Sequence, residues 1–339
     1  MDQLHRTGIE LAAILQERLP GSEDFWLWVT YLGDPSCILL FYFPIALAIQ
    51  HRLGLTVLWI GLISEWLNLV FKWFLFGERP FWWVSESGQF NDLKLRQFPS
   101  TCETGPGSPS GHCMITGAAL WPVLTTVTTL LSQRRVQRLL PLILYILLMV
   151  GVAVSRVFIL AHFPHQVLAG ILTGVFLGHI LQRDIPVDRS FGFYALASLL
   201  LLLGALLINW VMSTIGFDLS WSIHLATKWC SKPEWIRIET RPFSSMTRSA
   251  GSALGLGLAL HCPLYDRFHR DNASWRERTV SLFLSLFFLK ILNSLQFPIS
   301  TPLYFYSLNF LRHSLCPLAA IILAPLITQV MGFRTPKRD

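Results

Sequence analysis

The stretch that decides the fold of this chain is Phe98–Met114, FPSTCETGPGSPSGHCM, which lies between two long apolar runs. Its glycines and prolines cannot propagate a helix or a strand, so the backbone must turn repeatedly and leave amide N–H groups free to bind an anion. Ser110 and Gly111 come just before a new helix, whose N-terminus also attracts negative charge. His112 adds a group that exchanges a proton near neutral pH. By itself, such a loop is more often a connector than a site.

Two flanking stretches add positive charge and a second imidazole. Lys72 ends an apolar run and is separated from Arg79 by six residues, and Arg156 is separated from His162 by five. If each pair lies on a continuous helix, its two members share one face about two turns apart. We therefore expect both pairs to project toward the same space as the glycine-rich loop.

These three segments together have the groups that metal-free phosphoryl transfer requires. Three cations can neutralise the phosphoryl oxygens, one neutral imidazole can attack phosphorus, and a second can protonate the leaving oxygen. No metal or other cofactor is expected, because three cations already balance the phosphate. The alternative is positive charge that anchors membrane edges, with ordinary histidines at helix ends. The phosphoryl-transfer hypothesis assigns His162 as nucleophile and His112 as acid, with phosphate held by Lys72, Arg79, Ser110, Gly111 and Arg156.

The motifs K-x6-RP, PSGH and SR-x5-H resemble the three-part signature shared by type-2 phosphatidic acid phosphatases, vanadium haloperoxidases and glucose-6-phosphatases. The flanking words FKWFLFGERPFWWV, QFPSTCETGPGSPSGH, SRVFILAHFPHQVLAG and KWCSKPEWI are similar to glucose-6-phosphatase catalytic subunits over most of the chain. HCMITGAALWP and FILAHFPHQVLAG resemble the ubiquitous branch of that family more than its liver or islet branches.

The resemblance implies a function and a partner. It implies hydrolysis of glucose 6-phosphate, and also of 1,5-anhydroglucitol 6-phosphate, through a phosphohistidine intermediate in the endoplasmic reticulum lumen. Since a cytosolic sugar phosphate reaches the lumen only through a carrier, it further implies functional coupling to a glucose-6-phosphate translocase.

One position departs from the wider superfamily. Its lipid phosphatases usually carry an Asp four residues after the nucleophile, where it orients the imidazole, and here that position is Gln166. The amide oxygen can still accept from the ring, although a neutral group raises its basicity less. Asn68 lies one turn before Lys72 and is expected either to support Lys72 or to pack against a neighbouring helix. The adjacent His165 is expected to be structural.

The composition indicates an integral membrane protein, because 53% of the residues are hydrophobic and only 14% are charged. We predict an all-α, polytopic membrane protein with one domain over 1–339. It would contain a phosphatidic-acid-phosphatase-like helical core at about 54–182 and additional helices at about 191–331. Nine apolar runs reach spanning length, at about 25–50, 54–76, 114–131, 139–160, 165–182, 191–211, 249–265, 279–295 and 302–331.

The basic residues predict the orientation. The net charge of +7 is spread over short loops between apolar runs, a pattern typical of membrane topology rather than of nucleic-acid binding. One set of alternate loops holds 13 Lys or Arg in 45 residues, against 11 in 115 residues on the other side. The denser side is expected to be cytosolic. The N-terminus and the three motifs would then face the lumen, with the C-terminus in the cytosol and the sequon at Asn272 unmodified.

Several other residues have open interpretations. Cys102 and Cys230 lie in the two long lumenal loops and could pair or remain free thiols, and the cysteines show no zinc-site spacing. Asp34, before a proline, is expected to cap a helix rather than to act as a catalytic acid. Trp82 and Trp83 fit either an interfacial aromatic belt or a wall that stacks on a sugar.

Two other functions remain possible at this stage. A lipid phosphate phosphatase would have six spans and would take its substrate from the bilayer. A transporter or channel for phosphate or sugar phosphate would line an anion path with Lys72, Arg79 and Arg156. A transporter, however, gains nothing from two histidines at attack and leaving-group spacing.

Overall fold

The chain folds into a bundle of α-helices. The computed structural model describes residues 1–90, 93, 95–131, 135–237, 242–268, 273–295, 297 and 301–333. Its α-helices are α1 (Asp2–Arg18), α2 (Glu23–Leu32), α3 (Pro35–Cys37), α4 (Phe43–Ile49), α5 (His51–Leu75), α6 (Pro80–Glu86), α7 (Gly111–Leu130), α8 (Arg135–Phe158), α9 (Pro164–Leu181), α10 (Phe191–Thr214), α11 (Trp221–Trp229), α12 (Pro242–Leu260), α13 (Tyr265–Phe268), α14 (Trp275–Ser294), α15 (Pro302–Leu318) and α16 (Ala324–Val330). The described residues contain one isolated β-bridge, between Glu103 and Arg237. The all-α prediction is therefore confirmed.

Several of these helices are long and apolar enough to cross a membrane, which makes the chain a multi-pass membrane protein. Among the described residues there are six, or seven if α2 and the segment Pro35–Ile49, bent by 53°, form one broken span. The expected nine spans are not confirmed. Helices α12 and α14 occupy the runs expected at 249–265 and 279–295, but they do not meet the hydropathy requirement for a span. Serines and charged residues such as Arg248 and Lys290 lower their hydropathy.

Small residues bring α9 close to α7. A Cβ at Gly170 would lie 2.7 Å from the Ser110 carbonyl oxygen, and one at Gly174 would lie 2.5 Å from that of Met114. Gly178 repeats the spacing one turn further, opposite Ala118. This is the small-x-x-x-small pattern by which membrane helices approach without a hydrophobic driving force between them. The helix that follows His162 is thereby held against the helix that begins with the PSGH loop.

A second close pair joins the C-terminal helices. On α12, a Cβ at Gly251 would lie 2.5 Å from the Phe310 carbonyl oxygen of α15, and one at Gly255 would lie 2.1 Å from that of Ser314. Helix α10 packs against the same α12, where Ser198 donates to the Ala250 carbonyl at 2.8 Å. The C-terminal helices are thus tied to each other and placed beside α5.

A disulfide joins Cys102 in the glycine-rich loop to Cys230, just after α11. The pairing of the two cysteines, left open by the sequence, is present in the structure. The backbone continues the link, since the Arg237 amide donates to the Cys102 carbonyl at 3.0 Å. The loop after α11 therefore covers the end of the bundle at which the three motifs meet.

Candidate active site

The helices end before the predicted site residues that follow them. Helix α5 stops at Leu75, Phe76 turns with a left-handed φ of 44°, and Arg79 lies in extended backbone just before α6. Leu160, with φ of 60°, makes a similar break after α8, so that His162 lies in the connection to α9. The expectation that each motif lies on one continuous helix is wrong. The breaks instead turn the side chains toward the bundle interior.

Backbone carbonyls fix the guanidinium of Arg79, which is fully buried. Its Nε donates to the Gly105 carbonyl at 2.6 Å and its Nη2 to that of Pro106 at 3.1 Å. Its Nη1 donates to the Ala161 carbonyl at 3.0 Å. The glycine- and proline-rich loop thus orients the fork of this arginine, because its carbonyls have no helical partner.

His162 is held in one tautomer. Its Nδ1 lies 2.8 Å from the Gly107 carbonyl oxygen, which can only accept, so Nδ1 carries the proton and Nε2 presents a lone pair. Nε2 lies 3.4 Å from Nη1 of Arg79. Burial, and then the positive charges of Arg79 and Arg156, hold the pKa of His162 well below its ordinary value. The imidazole is therefore neutral, as a nucleophile must be.

His112 lies on the other side of the same space, at the start of α7. Its Nδ1 is 3.6 Å from Oε1 of Glu103, and its Nε2 is 3.7 Å from Oδ2 of Asp34. Ser110 precedes α7, and its hydroxyl does not cap the helix. Gly111 allows a close approach, since a Cβ there would lie 2.9 Å from Oδ1 of Asn68. The structure thus brings the PSGH residues to the two arginines and His162.

A carboxylate that the sequence analysis did not single out occupies the centre of this space. Oε2 of Glu103 lies 2.9 Å from Nη2 of Arg79, and Oε1 pairs with Nη2 of Arg156. Nε2 of His162 is 4.0 Å from Oε2. Burial alone would raise the pKa of Glu103, but the guanidiniums of Arg156 and Arg79 hold it well below its ordinary value. The site therefore already binds an oxyanion, supplied by the protein itself.

Gln166 and Asn68 both hydrogen-bond the backbone around the site, and Asn68 also donates to Sδ of Met114 on α7 at 3.4 Å, which is the expected contact with a neighbouring helix. The imidazole of His162 bonds Gly107, whereas Gln166 donates from Nε2 to the Glu78 carbonyl at 2.6 Å and accepts at Oε1 from the Phe163 amide at 3.1 Å. Asn68 donates to the Pro109 carbonyl at 3.2 Å. Both amides thus stabilise backbone that would otherwise lack partners. The expected bond between Gln166 and the ring of His162 is not formed, because Nδ1 of His162 donates to the Gly107 carbonyl and Gln166 has the Glu78 and Phe163 backbone as partners.

The structure also shows the surroundings of Asp34, Trp82 and Trp83. Asp34 caps α3, as expected, by accepting from the Ser36 amide at 2.9 Å. It also pairs with Arg237 at 2.9 Å, beside His112. Trp82 and Trp83 are buried in a core cluster under the loop, where Trp82 donates to Glu78. Neither an aromatic belt nor a sugar-stacking wall describes these two residues.

A cavity of about 590 Å³ opens on this site. It is lined at one end by Asn68, Lys72, Glu103, Gly111 and His112. Arg79, Arg156 and His162 lie behind Glu103 and do not line it. Lys72 is therefore the one predicted phosphate-binding cation that faces the cavity in the described part of the chain. Within that part, no cluster of three His, Cys, Asp or Glu has a geometry suited to a metal ion.

Comparison with known proteins agrees with this arrangement. The PAP2 superfamily model matches residues 53–189. Glucose-6-phosphatase 3 of Bos taurus is 51% identical, over 98% of this chain and 97% of its own length, and that of Homo sapiens is 50% identical, over 96% and 95%. The chain belongs to the glucose-6-phosphatase family. Glucose-6-phosphatase catalytic subunit 1 of Canis lupus familiaris is 35% identical over 96% of the chain and 95% of its own length. No solved structure matches the chain.

In this glucose-6-phosphatase family member, the superfamily match contains every residue that the sequence motifs identified. It also contains Glu103. The sequence could have pointed to this residue, because it is the only acidic residue between Phe98 and Met114. Asp34 and Arg237 lie outside the match and 203 positions apart. No local pattern connects those two residues, and only the packing of α3 and the loop after α11 brings them together.

Proposed function

We propose that this protein is a phosphomonoester hydrolase that cleaves sugar 6-phosphates to sugar and inorganic phosphate. Glucose 6-phosphate is the principal proposed substrate. The observation that carries the proposal is the oxyanion position between Arg79 and Arg156, with the neutral Nε2 of His162 4.0 Å from the bound carboxylate. Two guanidiniums and a neutral imidazole close to the anion are what a transferring phosphoryl group requires. The relatives glucose-6-phosphatase 3 and glucose-6-phosphatase catalytic subunit 1 are named for a sugar phosphate, which supports this substrate class. 1,5-Anhydroglucitol 6-phosphate is a second proposed substrate.

The proposed reaction begins when substrate phosphate displaces the Glu103 carboxylate. The phosphate then contacts Arg79, Arg156, Lys72 and the Ser110 hydroxyl with the amides that follow it. Nε2 of His162 attacks phosphorus and the phosphorus–oxygen ester bond breaks. His112 enters this step as the imidazolium beside the Asp34 carboxylate and gives its proton to the departing sugar oxygen.

The second half of the reaction restores the enzyme. His112, now neutral, takes a proton from a water molecule that attacks the phosphohistidine. The phosphorus–nitrogen bond breaks, phosphate leaves, and the lone pair returns to Nε2 of His162. Each histidine ends the cycle in its starting protonation state.

We place the site in the endoplasmic reticulum lumen, with a lumenal N-terminus and a cytosolic C-terminus. The disulfide at Cys102 lies next to Glu103, and disulfides form and persist in oxidising compartments such as this lumen. The uneven distribution of basic residues supports the same orientation. Substrate made in the cytosol would then need a carrier, so the protein would depend functionally on a glucose-6-phosphate translocase.

Trapping of the phosphoenzyme tests the proposal. Purified protein in detergent, quenched during hydrolysis of phosphate-labelled glucose 6-phosphate, should carry label that is acid-labile and alkali-stable, as a phosphoramidate is. His162→Ala should abolish the label. His112→Ala should still be labelled by an aryl phosphate, whose leaving group needs little protonation. Label that survives His162→Ala would move the nucleophile to another residue.

A further inference from the structure

The cavity continues from the catalytic groups to the C-terminal helices. Its far end is lined by Glu65 on α5, by Arg248 on α12 and by Asn309 and His313 on α15. Its volume of about 590 Å³ falls within the range of sites for small molecules. Three of these four residues lie beyond the superfamily match, which ends at residue 189. The catalytic half and the far half of the cavity thus come from different parts of the chain.

The direction of the reaction determines which part of a substrate would enter the far half. His162 lies behind the oxyanion position, and in-line displacement places the leaving oxygen on the side opposite the attacking nitrogen. That side is the cavity, and His112, the proposed proton donor to the leaving oxygen, lines it. The leaving group of the phosphomonoester therefore projects into the space between α5, α12 and α15.

The far half presents hydrogen-bonding groups beside the apolar side chains of Leu295, Phe297 and Phe305. Arg248 pairs with Glu65, with its Nε 2.7 Å from Oε1. Asn309 donates to the Phe305 carbonyl at 2.9 Å and accepts from Nη2 of Arg312 at 2.7 Å. A largely buried charge pair and a buried amide inside the bundle of a membrane protein are costly, and such groups usually mark a functional cavity.

His313 carries a donor without an acceptor. Its Nε2 lies 3.2 Å from Nη2 of Arg312, which can only donate, so Nε2 accepts and the proton is on Nδ1. Nδ1 is buried and has no hydrogen-bond partner among the described residues, in a side chain that is 5% exposed. A buried donor that stays unpaired is costly, which favours an acceptor supplied by a ligand.

From these observations we infer that the far half of the cavity binds the polyhydroxylated leaving group of the substrate, with Asn309 and His313 hydrogen-bonded to sugar hydroxyls. This inference rests on the proposed function and deepens it by assigning sugar specificity to α15, outside the superfamily match.

The test compares substrates that share a phosphate and differ in hydroxyls. Asn309→Leu and His313→Phe are assayed on glucose 6-phosphate, on its monodeoxy analogues and on p-nitrophenyl phosphate. The analogues include 1,5-anhydroglucitol 6-phosphate, which lacks the C1 hydroxyl. Each variant should lose about tenfold more kcat/KM on glucose 6-phosphate than on the aryl phosphate, as expected for a lost buried hydrogen bond. At least one deoxy analogue should show no such extra loss, because the hydroxyl concerned is already absent.

Leu311→Ala is the matched control, since Leu311 lies on the same helix, is 54% exposed and does not line the cavity. It should leave the ratio of the two activities unchanged. If His313→Phe or Asn309→Leu does not yield folded protein, the more conservative variants His313→Gln and Asn309→Ser are assayed in the same way.

Two outcomes separate this inference from the proposal on which it rests. Equal losses on glucose 6-phosphate and aryl phosphate, with no dependence on any deoxy analogue, would overturn the sugar site alone. A wild-type protein that hydrolyses the aryl phosphate but not glucose 6-phosphate would overturn the proposed function as well.

Discussion

At the scale of single residues, Glu103 changes the description of the site most. The motifs supply cations and imidazoles, but in the structure the two guanidiniums already share a carboxylate. Such an arrangement keeps Arg79 and Arg156 from facing each other uncompensated in a buried site. It also means that an incoming phosphate competes with Glu103 for the same donors.

Glu103→Gln should therefore strengthen the inhibition by orthovanadate, which mimics the five-coordinate, trigonal-bipyramidal phosphoryl group during transfer. We expect the inhibition constant to fall about tenfold, since a neutral amide is displaced from two guanidiniums more easily than a carboxylate. The control is Glu86→Gln, whose carboxylate pairs with Lys228 at the surface and touches no site residue. Weaker or unchanged vanadate inhibition in a folded Glu103→Gln protein would show that the carboxylate does not compete with the anion.

Arg79→Lys should lower kcat/KM for glucose 6-phosphate by an amount equivalent to about 2–4 kcal/mol. An ammonium keeps the charge but cannot form the bidentate contact with phosphate. It also cannot reach the three loop carbonyls that Arg79 now bonds. Steady-state kinetics would measure the loss, with Arg96→Lys, 53% exposed and paired with Glu23, as control. Near-normal turnover in Arg79→Lys would mean that charge alone suffices there.

At the scale of secondary-structure elements, the site depends on where helices end and how closely two of them pack. The breaks after α5 and α8 turn Arg79 and His162 inward. The Ser110 amide donates to the Gln166 carbonyl at 3.0 Å, which joins the start of α7 to the first turn of α9. The distance between these two helices therefore sets the distance between the PSGH loop and His162.

Gly174→Ala should move α9 away from α7 and reduce activity at least tenfold, because its Cβ would lie 2.5 Å from the backbone oxygen of Met114. A rigid backbone atom cannot yield as a side chain can, so the helices must separate. The lost packing should also lower the thermal midpoint in detergent. Gly192→Ala is the control, since its nearest neighbour would be 3.8 Å away. Full activity in Gly174→Ala would show that the site tolerates a change in this helix spacing.

At the scale of the whole molecule, the site lies at one end of a membrane bundle and the C-terminal helices enclose its cavity. The catalytic motifs fall within the superfamily match, whereas α12 and α15 lie beyond it. Function in the cell depends on which side of the membrane this end faces. Orientation and compartment are therefore the properties to test on intact vesicles.

Leu93→Thr converts Asn91 into a glycosylation acceptor on the side proposed to be lumenal. Asn91 should then carry a glycan, while the natural sequon at Asn272 should remain bare; both asparagines lie outside the described residues. Phosphohydrolase activity should be latent in sealed vesicles that lack the translocase and should appear when detergent opens them. The readouts are glycosidase-sensitive mobility and phosphate release. A glycan on Asn272 but not on Asn91 would place the site in the cytosol and remove the need for a carrier.

The sequence by itself determined the all-α membrane class, the glucose-6-phosphatase family and the set of loop, cation and histidine residues that the structure brings together. Each of these follows from local chemistry: apolar runs longer than a bilayer is thick, a loop of helix breakers, and motifs at short spacing. The proline after Asp34 is a local signal of the same kind, and it predicts the helix cap that the structure shows.

Only the tertiary structure decided the remaining features. The placement of Glu103 between two arginines, the pairing of Cys102 with Cys230 and the contact of Asp34 with Arg237 join positions far apart in sequence. Contacts with loop carbonyls fix where the side chains of Arg79 and His162 lie after the helix breaks. The nine spans expected from apolar length stay unconfirmed, because six or seven helices of the described residues are long and apolar enough, and polar side chains lower the hydropathy of α12 and α14.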